Sequence, residues 1–386
     1  MTGRRKKKSL REHNVGSLKL LKPLDRLTEL LHADADCPNR IIHHDKLLCL
    51  LLLMYFNPIV ASLRDLSALS GLKKVRRKLD APRFGKSTIA EAMRAFDPNL
   101  LAEVVRDLSR RVPQLGDERL RGLKQVLTAV DGSLLRALPR MAWALWVDEN
   151  KRAAKLHVAF EILRGVPGRL DVTEANASEI DFIENNLKPG RLYVTDRGYA
   201  KYCLFQKIVE AESSFVCRLR NNAVTETIET LALSEADREA GVVSDRIVRL
   251  GKDPEARGLN AAVRIVEVET ETREGGTRML LATDRRDISA ELVALIYRHR
   301  WQVELFFRWL KSTLNFGHLL SDSRTGVTIQ VYAAIIATLL IAIISGRKPD
   351  KRTFVMVSFY LQGLADEEEL AAFLARQRRD AIGQGG

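Results

Sequence analysis

The stretch QVLTAVDGS, residues 125–133, marks the point where a leucine-rich helical pattern gives way to short apolar strands. Its valines, leucine and threonine are typical of a buried strand, and we expect that strand to end at Asp131. A second stretch of the same kind, RLYVTDRGY at 191–199, predicts a strand that ends at Asp196. Because functional sites in open α/β sheets gather at strand ends, both aspartates are candidate site residues.

The segments around these two stretches alternate between strand and helix patterns. Strands are predicted at 125–133, 155–163, 168–175, 191–199 and 214–222, and helices at 179–187 and 199–209. This order predicts an α/β fold with an RNase H-like, mixed five-stranded sheet and flanking helices. The first and fourth strands are neighbours in that arrangement, so Asp131 and Asp196 should lie side by side.

Five segments are predicted along the chain. They are a helical N-terminal domain (1–118), a first part of the α/β core (119–222), a β-rich insertion that interrupts the sheet (223–288), a second part of the core (289–346) and a helical tail (347–386). In the first segment we expect helices near 18–31 and at 45–55, and a third that Ser87 or Thr88 caps. Ser289 should cap the helical region that follows the insertion.

The helical region after the insertion carries a polar pattern in YRHRWQVELFFRWLK, residues 297–311. At about 100° per residue, five side chains fall on one helix face, and apolar residues form a second stripe about 90° away. The five are Tyr297, Arg300, Glu304, Arg308 and Lys311. A carboxylate can hold a hard divalent metal through oxygen, and arginine and lysine can hold phosphate charge beside it. A structural alternative is a solvated face on which Glu304 pairs with Arg308 at i,i+4.

Composition narrows the function classes. The chain has 386 residues and a net charge of +13, which is typical of proteins that meet a polyanion such as nucleic acid. Its four cysteines are scattered and form no zinc pattern, as expected of reduced thiols in an intracellular protein. The apolar runs at 47–56 and 331–344 are shorter than the roughly 20 residues that span a bilayer, so both are interpreted as buried helices.

The two strand-end aspartates and the helix pattern together resemble the IS4 family of bacterial DDE transposases. The resemblance rests on Asp131 in VDGS, Asp196 in TDRGY and the Tyr-Arg-Glu-Lys pattern, and it covers about residues 120–345. It implies that Asp131, Asp196 and Glu304 are catalytic metal ligands. It also implies DNA contacts near the cleaved phosphate, made by Tyr297, Arg300, Lys311, Arg308 and Arg197. After the third strand the sequence VTEANASE lacks the glycine-bearing turn expected in the family.

The resemblance implies a metal-dependent enzyme that cleaves DNA at terminal inverted repeats. It then joins the ends to target DNA by a cut-and-paste route, through a hairpin. Two Mg²⁺ ions are the expected cofactors, with Mn²⁺ as a substitute. The expected partners are double-stranded DNA, which residues 1–118 should bind, and a second copy of the chain in a homodimeric paired-end complex, with no membrane. The expected location is the cytoplasm, in association with the nucleoid.

Two other functions stay open at this point. A non-catalytic DNA-binding regulator derived from a transposase would share the basic charge, but the intact Asp131, Asp196, Glu304 and Lys311 speak against it. An RNase H-like nuclease without strand transfer would share the carboxylates. The β-rich insertion and the basic N-terminal segment favour a protein that holds DNA ends.

Overall fold

The computed structural model describes residues 31, 41–57, 59–114, 116–136, 138, 140–144, 146–148, 151–251, 262–272, 275–314 and 318–383. The chain divides into two compact units. The first comprises Met1–Pro113, Arg136–Leu145 and Arg308–Gly386, and the second comprises Gln114–Leu135 and Trp146–Phe307. The predicted helix near 18–31 lies outside the described residues, apart from the helical Leu31. The five-segment division stays a prediction.

The described helices and strands follow one another along the chain in a fixed order. They are α1 (His44–Tyr55), α2 (Leu63–Gly71), α3 (Lys73–Leu79), α4 (Lys86–Ala95), α5 (Asn99–Arg111), α6 (Glu118–Arg121), β1 (Val126–Arg136), β2 (Trp146–Asp148), β3 (Lys151–Glu161), β4 (Val166–Glu174), α7 (Glu179–Glu184), β5 (Arg191–Thr195), a 3₁₀ turn (Arg197–Tyr199), α8 (Tyr202–Glu210), β6 (Ser214–Arg218), β7 (Thr225–Thr230), α9 (Glu235–Glu239), β8 (Val242–Leu250), β9 (Val263–Thr272), β10 (Gly275–Thr283), α10 (Ala290–His299), α11 (Trp301–Ser312), α12 (Arg324–Ser345), α13 (Lys351–Gln362) and α14 (Glu367–Gly383).

The first unit is helical, and α12 is its central element. Ser323 caps the start of α12 by accepting a hydrogen bond from the Gly326 amide, and Gly346 ends the helix in the left-handed region at φ 64°. The helix packs against α1, α4 and α5. The Tyr55 hydroxyl of α1 donates a 2.8 Å hydrogen bond to the Gln330 carbonyl oxygen. The predicted helix at 45–55 is thus confirmed, whereas the predicted cap of α4 is wrong, because Gly85 precedes its first residue.

Helix α12 is longer than the apolar run at 331–344, which was expected to be too short to span a bilayer. It has 22 residues and is long and apolar enough to cross a membrane by length and composition alone, and 83% of its most apolar window is buried inside the protein. The run at 331–344 is too short on its own, but residues 324–330 extend it. Burial against the neighbouring helices, rather than length, supports the interpretation as a core helix.

The second unit contains a ten-stranded mixed sheet with the strand order β2-β3-β1-β5-β6-β10-β9-β8-β7, in which β4 also pairs with β3. Strands β1, β5 and β6 are parallel to one another, and β3 and β4 are antiparallel. The five strands predicted from sequence are β1, β3, β4, β5 and β6. The predicted neighbours, β1 and β5, do pair, with Ala129 opposite Val194.

The β-rich insertion differs from the prediction of an interrupted five-stranded sheet. Strand β10 pairs antiparallel with β6, β9 pairs with β10, and the inserted strands therefore continue the same sheet. Alternating apolar residues reveal that residues 223–288 form strands. The alternation of apolar residues does not indicate which neighbouring strand each of these strands will pair with, because it is compatible with any partner strand. The short strand β2 is absent from the prediction.

The inserted strands also hold the start of α10. Buried Arg264 of β9 pairs with buried Asp245 of β8 at 2.7 Å. Its guanidinium also donates hydrogen bonds to the carbonyl oxygens of Arg285 and Ile288, at 3.2 and 2.6 Å. Ser289 then caps α10 by accepting from the Leu292 amide, as predicted. The insertion therefore fixes the backbone from which the next helices begin.

Candidate active site

Asp131 lies within β1 and not at its end. The prediction that the strand stops at this aspartate is wrong, because the strand continues to Arg136, and burial along it changes from complete to partial at Asp131. The apolar pattern reveals where burial along the strand becomes partial. It does not reveal where the strand itself ends, which is five residues later. One carboxylate oxygen of Asp131 accepts a 2.8 Å hydrogen bond from the Gly132 amide.

Asp196 follows directly after β5, as predicted. Its side chain caps the 3₁₀ turn by accepting a 2.8 Å hydrogen bond from the Gly198 amide. The parallel register of β1 and β5, carried two residues beyond Ala129 and Val194, sets Asp131 opposite Asp196. Neighbouring strands lie about 5 Å apart, so the two carboxylates share one edge of the sheet.

Glu304 reaches the same place through Arg300. An Arg300 Nη2 lies 2.5 Å from a Glu304 oxygen, and its Nη1 lies 3.7 Å from an Asp131 oxygen. All three side chains are largely buried, with exposed fractions of 14% for Arg300, 22% for Asp131 and 28% for Glu304. One guanidinium thus holds two of the predicted catalytic carboxylates. The alternative pairing of Glu304 with Arg308 is not the one observed.

The region of Tyr297 to Lys311 is not one continuous helix. Helix α10 ends at His299 and α11 begins at Trp301, and Arg300 lies in the turn between them. Two backbone hydrogen bonds tighten this turn, from the Arg300 amide to the Tyr297 carbonyl and from the Val303 amide to the Arg300 carbonyl. Both span three residues, as in a 3₁₀ helix. A uniform helical period could not reveal this break.

The remaining predicted residues occupy different positions. Tyr297 is 9% exposed, and the Arg300 guanidinium lies 5.8 Å from the centre of its ring. Burial raises the pKa of the Tyr297 hydroxyl. Arg197 is exposed in the 3₁₀ turn next to Asp196. Arg308 and Lys311 lie further along α11, in the part of the chain that belongs to the first unit.

Glu179, at the start of α7, belongs to this site but is absent from the prediction. Burial raises the pKa of the Asp131 carboxyl to about 6. Hydrogen bonding to Gly132 and the charge of Arg300 oppose the rise, and the negative charges of Glu179 and Asp196 add to it. A methyl group on Gly132 would lie 2.8 Å from a Glu179 oxygen, so α7 approaches β1 closely at this point. The only sequence signal for this contact is the glycine itself.

Three further side chains surround Glu179. The Lys155 ammonium lies 3.4 Å from its carboxylate. Burial, and then the negative charge of Glu179, raise the pKa of the Tyr199 hydroxyl far above its usual range. His157 is 1% exposed and shares a 2.9 Å hydrogen bond with the Thr173 hydroxyl. Its burial lowers the pKa of the ring.

The donor chemistry of the site fits a divalent cation. Carboxylate oxygens are the ligands that hard cations such as Mg²⁺ take in proteins. Burial raises the pKa of the Asp131 carboxyl, and the nearby charges of Glu179 and Asp196 add to this rise, so a bound cation would favour its ionised form. In this arrangement Glu304 is paired with Arg300, and no three His, Cys, Asp or Glu side chains in the described part of the chain are arranged to hold a metal. A cation held by Glu304 would have to replace Arg300 as its partner.

Comparisons with known proteins indicate the family to which this chain belongs. A family model described as "Transposase DDE domain" matches residues 122–340. The chain is 30% identical over 202 residues to "Putative transposase y4zB" of Sinorhizobium fredii, a match that covers 51% of this chain and only 56% of that relative. It is 26% identical over 281 residues to "Probable transposase for insertion sequence element IS5377" of Geobacillus stearothermophilus, with 72% of each chain covered. Among solved structures, a piggyBac transposase synaptic complex with hairpin DNA aligns with a TM-score of 0.42 and 11% identity, over 95% of this chain and 84% of that one.

Proposed function

This chain belongs to the transposase DDE domain family, and we propose that it cuts and joins DNA as the transposase of an insertion sequence. The observation that supports the proposal is that Arg300 contacts both Asp131 and Glu304, while the register of β1 and β5 sets Asp196 opposite Asp131. The strand order around them supports an RNase H-like core. The range matched by the family model, residues 122–340, contains both aspartates and the glutamate.

We propose that Asp131, Asp196 and Glu304 hold divalent metal, Mg²⁺ with Mn²⁺ as a substitute, and that two ions are bound. Bound ions supply Lewis-acid stabilisation to the attacking and leaving oxygens of an in-line phosphoryl displacement. The protein positions these carboxylates before the reaction. Strand pairing fixes the backbones of Asp131 and Asp196, and Arg300 holds the side chain of Glu304 beside them.

The basic residues of the site are proposed to hold the DNA strand. If Glu304 bound metal in place of Arg300, the guanidinium would become available for a phosphate oxygen, which it can bind through two parallel hydrogen bonds. The guanidinium lies over the ring of Tyr297, 5.8 Å from its centre. Arg197, Arg308 and Lys311 are proposed to contact neighbouring phosphates. DNA and metal would then enter the site together.

The proposed pathway is cut-and-paste transposition through a hairpin, at terminal inverted repeats and then at target DNA. Residues 1–118, with the basic helix α3, are proposed to bind the repeats. Two ends must be held together, so we propose a homodimer in the paired-end complex, in which mass photometry should find two chains per pair of ends. The proposed location is the cytoplasm, in association with the nucleoid and without a membrane.

Single alanine substitutions of the three carboxylates test this function. Asp131→Ala, Asp196→Ala and Glu304→Ala should each abolish cleavage of terminal-repeat DNA in Mg²⁺ and leave DNA binding within about twofold, because carboxylates repel phosphate and do not hold it. Glu210→Ala, at an exposed carboxylate of the same unit, is the matched control and should cleave normally. Undiminished cleavage by Glu304→Ala would refute the assignment.

A further inference from the structure

Helix α2 and the turn that leads into α4 enclose a cavity of about 470 Å³ on the first unit. The residues that line it are Arg64, Ser67, Arg83, Gly85 and Lys86. The Ser67 hydroxyl donates a 2.9 Å hydrogen bond to the carbonyl oxygen of buried Phe84, and the Ser70 hydroxyl accepts a 3.0 Å hydrogen bond from the Phe84 amide. These bonds attach the turn to α2, so the walls of the cavity are fixed to each other.

The positive charge of this cavity is uncompensated. Arg64, Arg83 and Lys86 are exposed, and none of the three has a carboxylate at ion-pair distance in the described part of the chain. Another arginine of the same unit does have such a partner, since Arg111 pairs with Asp107 at 2.5 Å. Three cations around one concavity raise the local concentration of anions, and a guanidinium matches the geometry of phosphate. The cavity is therefore suited to phosphate groups.

Helix α4 forms one wall of the cavity and leaves one of its long sides open. Its buried residues are Ile89, Ala92 and Met93. At about 100° per residue, these three share one side of the helix, and exposed Ser87 and Glu91 lie on the opposite side, one turn apart. In the last turn, Arg94 is held by Asp322 at 2.8 Å. The open part of α4 is therefore its first turns, next to the cavity.

The open side of α4 carries groups that can recognise the edges of base pairs. The Ser87 side chain takes no part in capping the helix, because Gly85 is the N-cap residue. In DNA recognition, a glutamate accepts a hydrogen bond from the amino group of cytosine, and a serine hydroxyl can donate or accept. A helix about 10–12 Å in diameter fits the major groove of DNA, which is about 12 Å wide. The cations beside this helix would then face the phosphates that border the groove.

We propose that the first turns of α4 enter the major groove of duplex DNA, where Ser87 and Glu91 contact base edges. Arg64, Arg83 and Lys86 bind phosphates beside that groove. Phosphate contacts set the position of the protein, and base contacts set the preferred sequence. The proposal rests on the proposed transposase function and deepens it, because it names the element within residues 1–118 that reads the terminal repeats.

The first test selects sequences from a library of DNA duplexes with a randomised segment, in EDTA so that no cleavage occurs. The unaltered protein should enrich one consensus sequence. Ser87→Ala and Glu91→Ala should each reduce the preference at one or two adjacent base pairs about tenfold and keep the rest of the consensus. Glu103→Ala, at an exposed carboxylate of α5, is the matched control and should keep all of it. An unchanged consensus in both α4 variants would overturn the proposal.

The second test measures how binding of the consensus duplex depends on salt. Arg64→Ala/Arg83→Ala should weaken binding to the consensus and to an unrelated duplex by similar factors. It should also reduce the salt slope of the affinity by about 0.9 for each lost phosphate contact. Arg106→Ala/Arg110→Ala removes two exposed cations from α5, outside the cavity, and should leave the slope unchanged. An unchanged slope in the cavity variant would contradict the proposed phosphate contacts.

An RNA duplex of the consensus sequence separates binding in the groove from binding to the backbone. The major groove of an RNA duplex is deep and too narrow for side chains to read. The unaltered protein should therefore bind the RNA duplex at least about tenfold more weakly than the DNA duplex. Equal affinity for the two duplexes would overturn the placement of α4. Circular dichroism of each variant shows that the protein is folded.

These tests and the carboxylate substitutions have separate outcomes, because all binding is measured without cleavage. If the carboxylate variants cleave DNA normally, the assignment of the catalytic site fails, whatever α4 binds. If cleavage requires the carboxylates but the consensus depends on neither Ser87 nor Glu91, the α4 proposal alone fails.

Discussion

Arg300 is the residue through which two of the three carboxylates meet. Its guanidinium lies 2.5 Å from Glu304 and 3.7 Å from Asp131, and its side chain is 14% exposed. A buried cation between two carboxylates offsets part of their repulsion and fixes their geometry. The same group is a bidentate donor that matches phosphate. Arg300 therefore has two successive roles in the proposal, first with the carboxylates and then with DNA.

Replacing Arg300 should affect the later DNA steps most. Arg300→Ala should slow hairpin formation and strand transfer by roughly a hundredfold, which corresponds to about 2–4 kcal/mol for one positioned donor at a phosphoryl-transfer site. Lys311→Ala should act in the same direction. Nicking of the first strand should slow less, because it does not need a sharply bent strand. A time course on intact and pre-nicked repeat DNA measures both steps.

Arg300→Lys is the matched control for this prediction. It keeps the positive charge but loses the planar pair of donors, so it should restore part of the rate and not all of it. If nicking and the later steps slow equally in Arg300→Ala, the residue serves general binding and has no special part in positioning the strand.

The charge of Asp131 should make stability depend on pH. Burial raises the pKa of this carboxyl to about 6 in the folded state, whereas the pKa in the unfolded state is near 4. In metal-free protein between these two pH values, the folded state therefore holds a proton that the unfolded state releases. The stabilisation is complete below about pH 4 and is lost as the pH rises through about 6. Asp131→Asn should therefore raise the free energy of unfolding at pH 7.5 by about 2–3 kcal/mol. It should change it little at pH 4.

Thermal unfolding in EDTA across this pH range measures the effect. Glu239→Gln, at an exposed carboxylate of the same unit, is the control and should show no such dependence. A constant difference between Asp131→Asn and the unaltered protein at all pH values would show that the carboxyl of Asp131 does not titrate in this range.

Local sequence patterns predict the candidate site residues whose signal lies within a few residues, and they miss those that only tertiary packing brings to the site. Asp131 and Asp196 follow apolar strands, and Glu304 repeats at helical spacing with its neighbours, so each carries its signal within a few residues. The approach of Glu179 depends on how α7 packs over β1, which is set by tertiary contacts. Gly132 permits that approach, but a glycine after an aspartate is equally typical of a turn. The sequence therefore predicts the carboxylates but not their charged neighbour.

At the scale of elements, the turn between α10 and α11 places Arg300. In a continuous α-helix the Arg300 side chain would follow the regular helical spacing. Here i→i−3 hydrogen bonds tighten the backbone on both sides of Arg300. The start of α10 is in turn held by the inserted strands through Arg264. The insertion therefore acts on the site through the backbone that leads into these helices.

Breaking the buried pair of Asp245 and Arg264 tests this link. Arg264→Met should lower the free energy of unfolding by about 3–5 kcal/mol, because it leaves a buried carboxylate unpaired and removes two hydrogen bonds to the segment before α10. Cleavage should fall even at temperatures where circular dichroism shows folded protein. Denaturant unfolding and cleavage assays on the same samples measure both effects.

The double variant Asp245→Leu/Arg264→Met is the control. It removes both buried charges, so it should recover stability relative to Arg264→Met, while the hydrogen bonds to Arg285 and Ile288 stay broken. If the double variant also recovers full cleavage, the pair supports stability alone and the insertion has no part in positioning the site helices.

At the scale of the whole molecule, the positive charge of +13 includes a dense group on α3. Lys73, Lys74, Arg76 and Arg77 are exposed on this helix of the first unit. Replacing all four by alanine should weaken binding to repeat DNA and reduce the salt slope of the affinity by about 0.9 for each phosphate that is no longer neutralised. Titrations at several salt concentrations measure this slope. The substitutions leave the apolar packing of the unit in place.

A charge control completes this prediction. Arg376→Ala/Arg379→Ala removes exposed cations from α14 of the same unit and should leave the salt slope unchanged. Deleting residues 1–118 is a poorer test, because it would strip α1, α4 and α5 from the apolar surface of α12. An unchanged slope in the α3 variant would contradict a role for this helix in binding DNA.

The strand order of the sheet has a consequence for folding during synthesis on the ribosome. Arg218 of β6 pairs with Leu281 of β10, which follows it by 63 residues. A ribosome that adds about 5–20 residues per second therefore releases β6 several seconds before its neighbour. During that interval the strand presents an open row of backbone donors and acceptors, which is a template for pairing with another chain. Nascent copies on adjacent ribosomes are thus at the greatest risk of aggregation, and yield should depend on chaperones that act during translation.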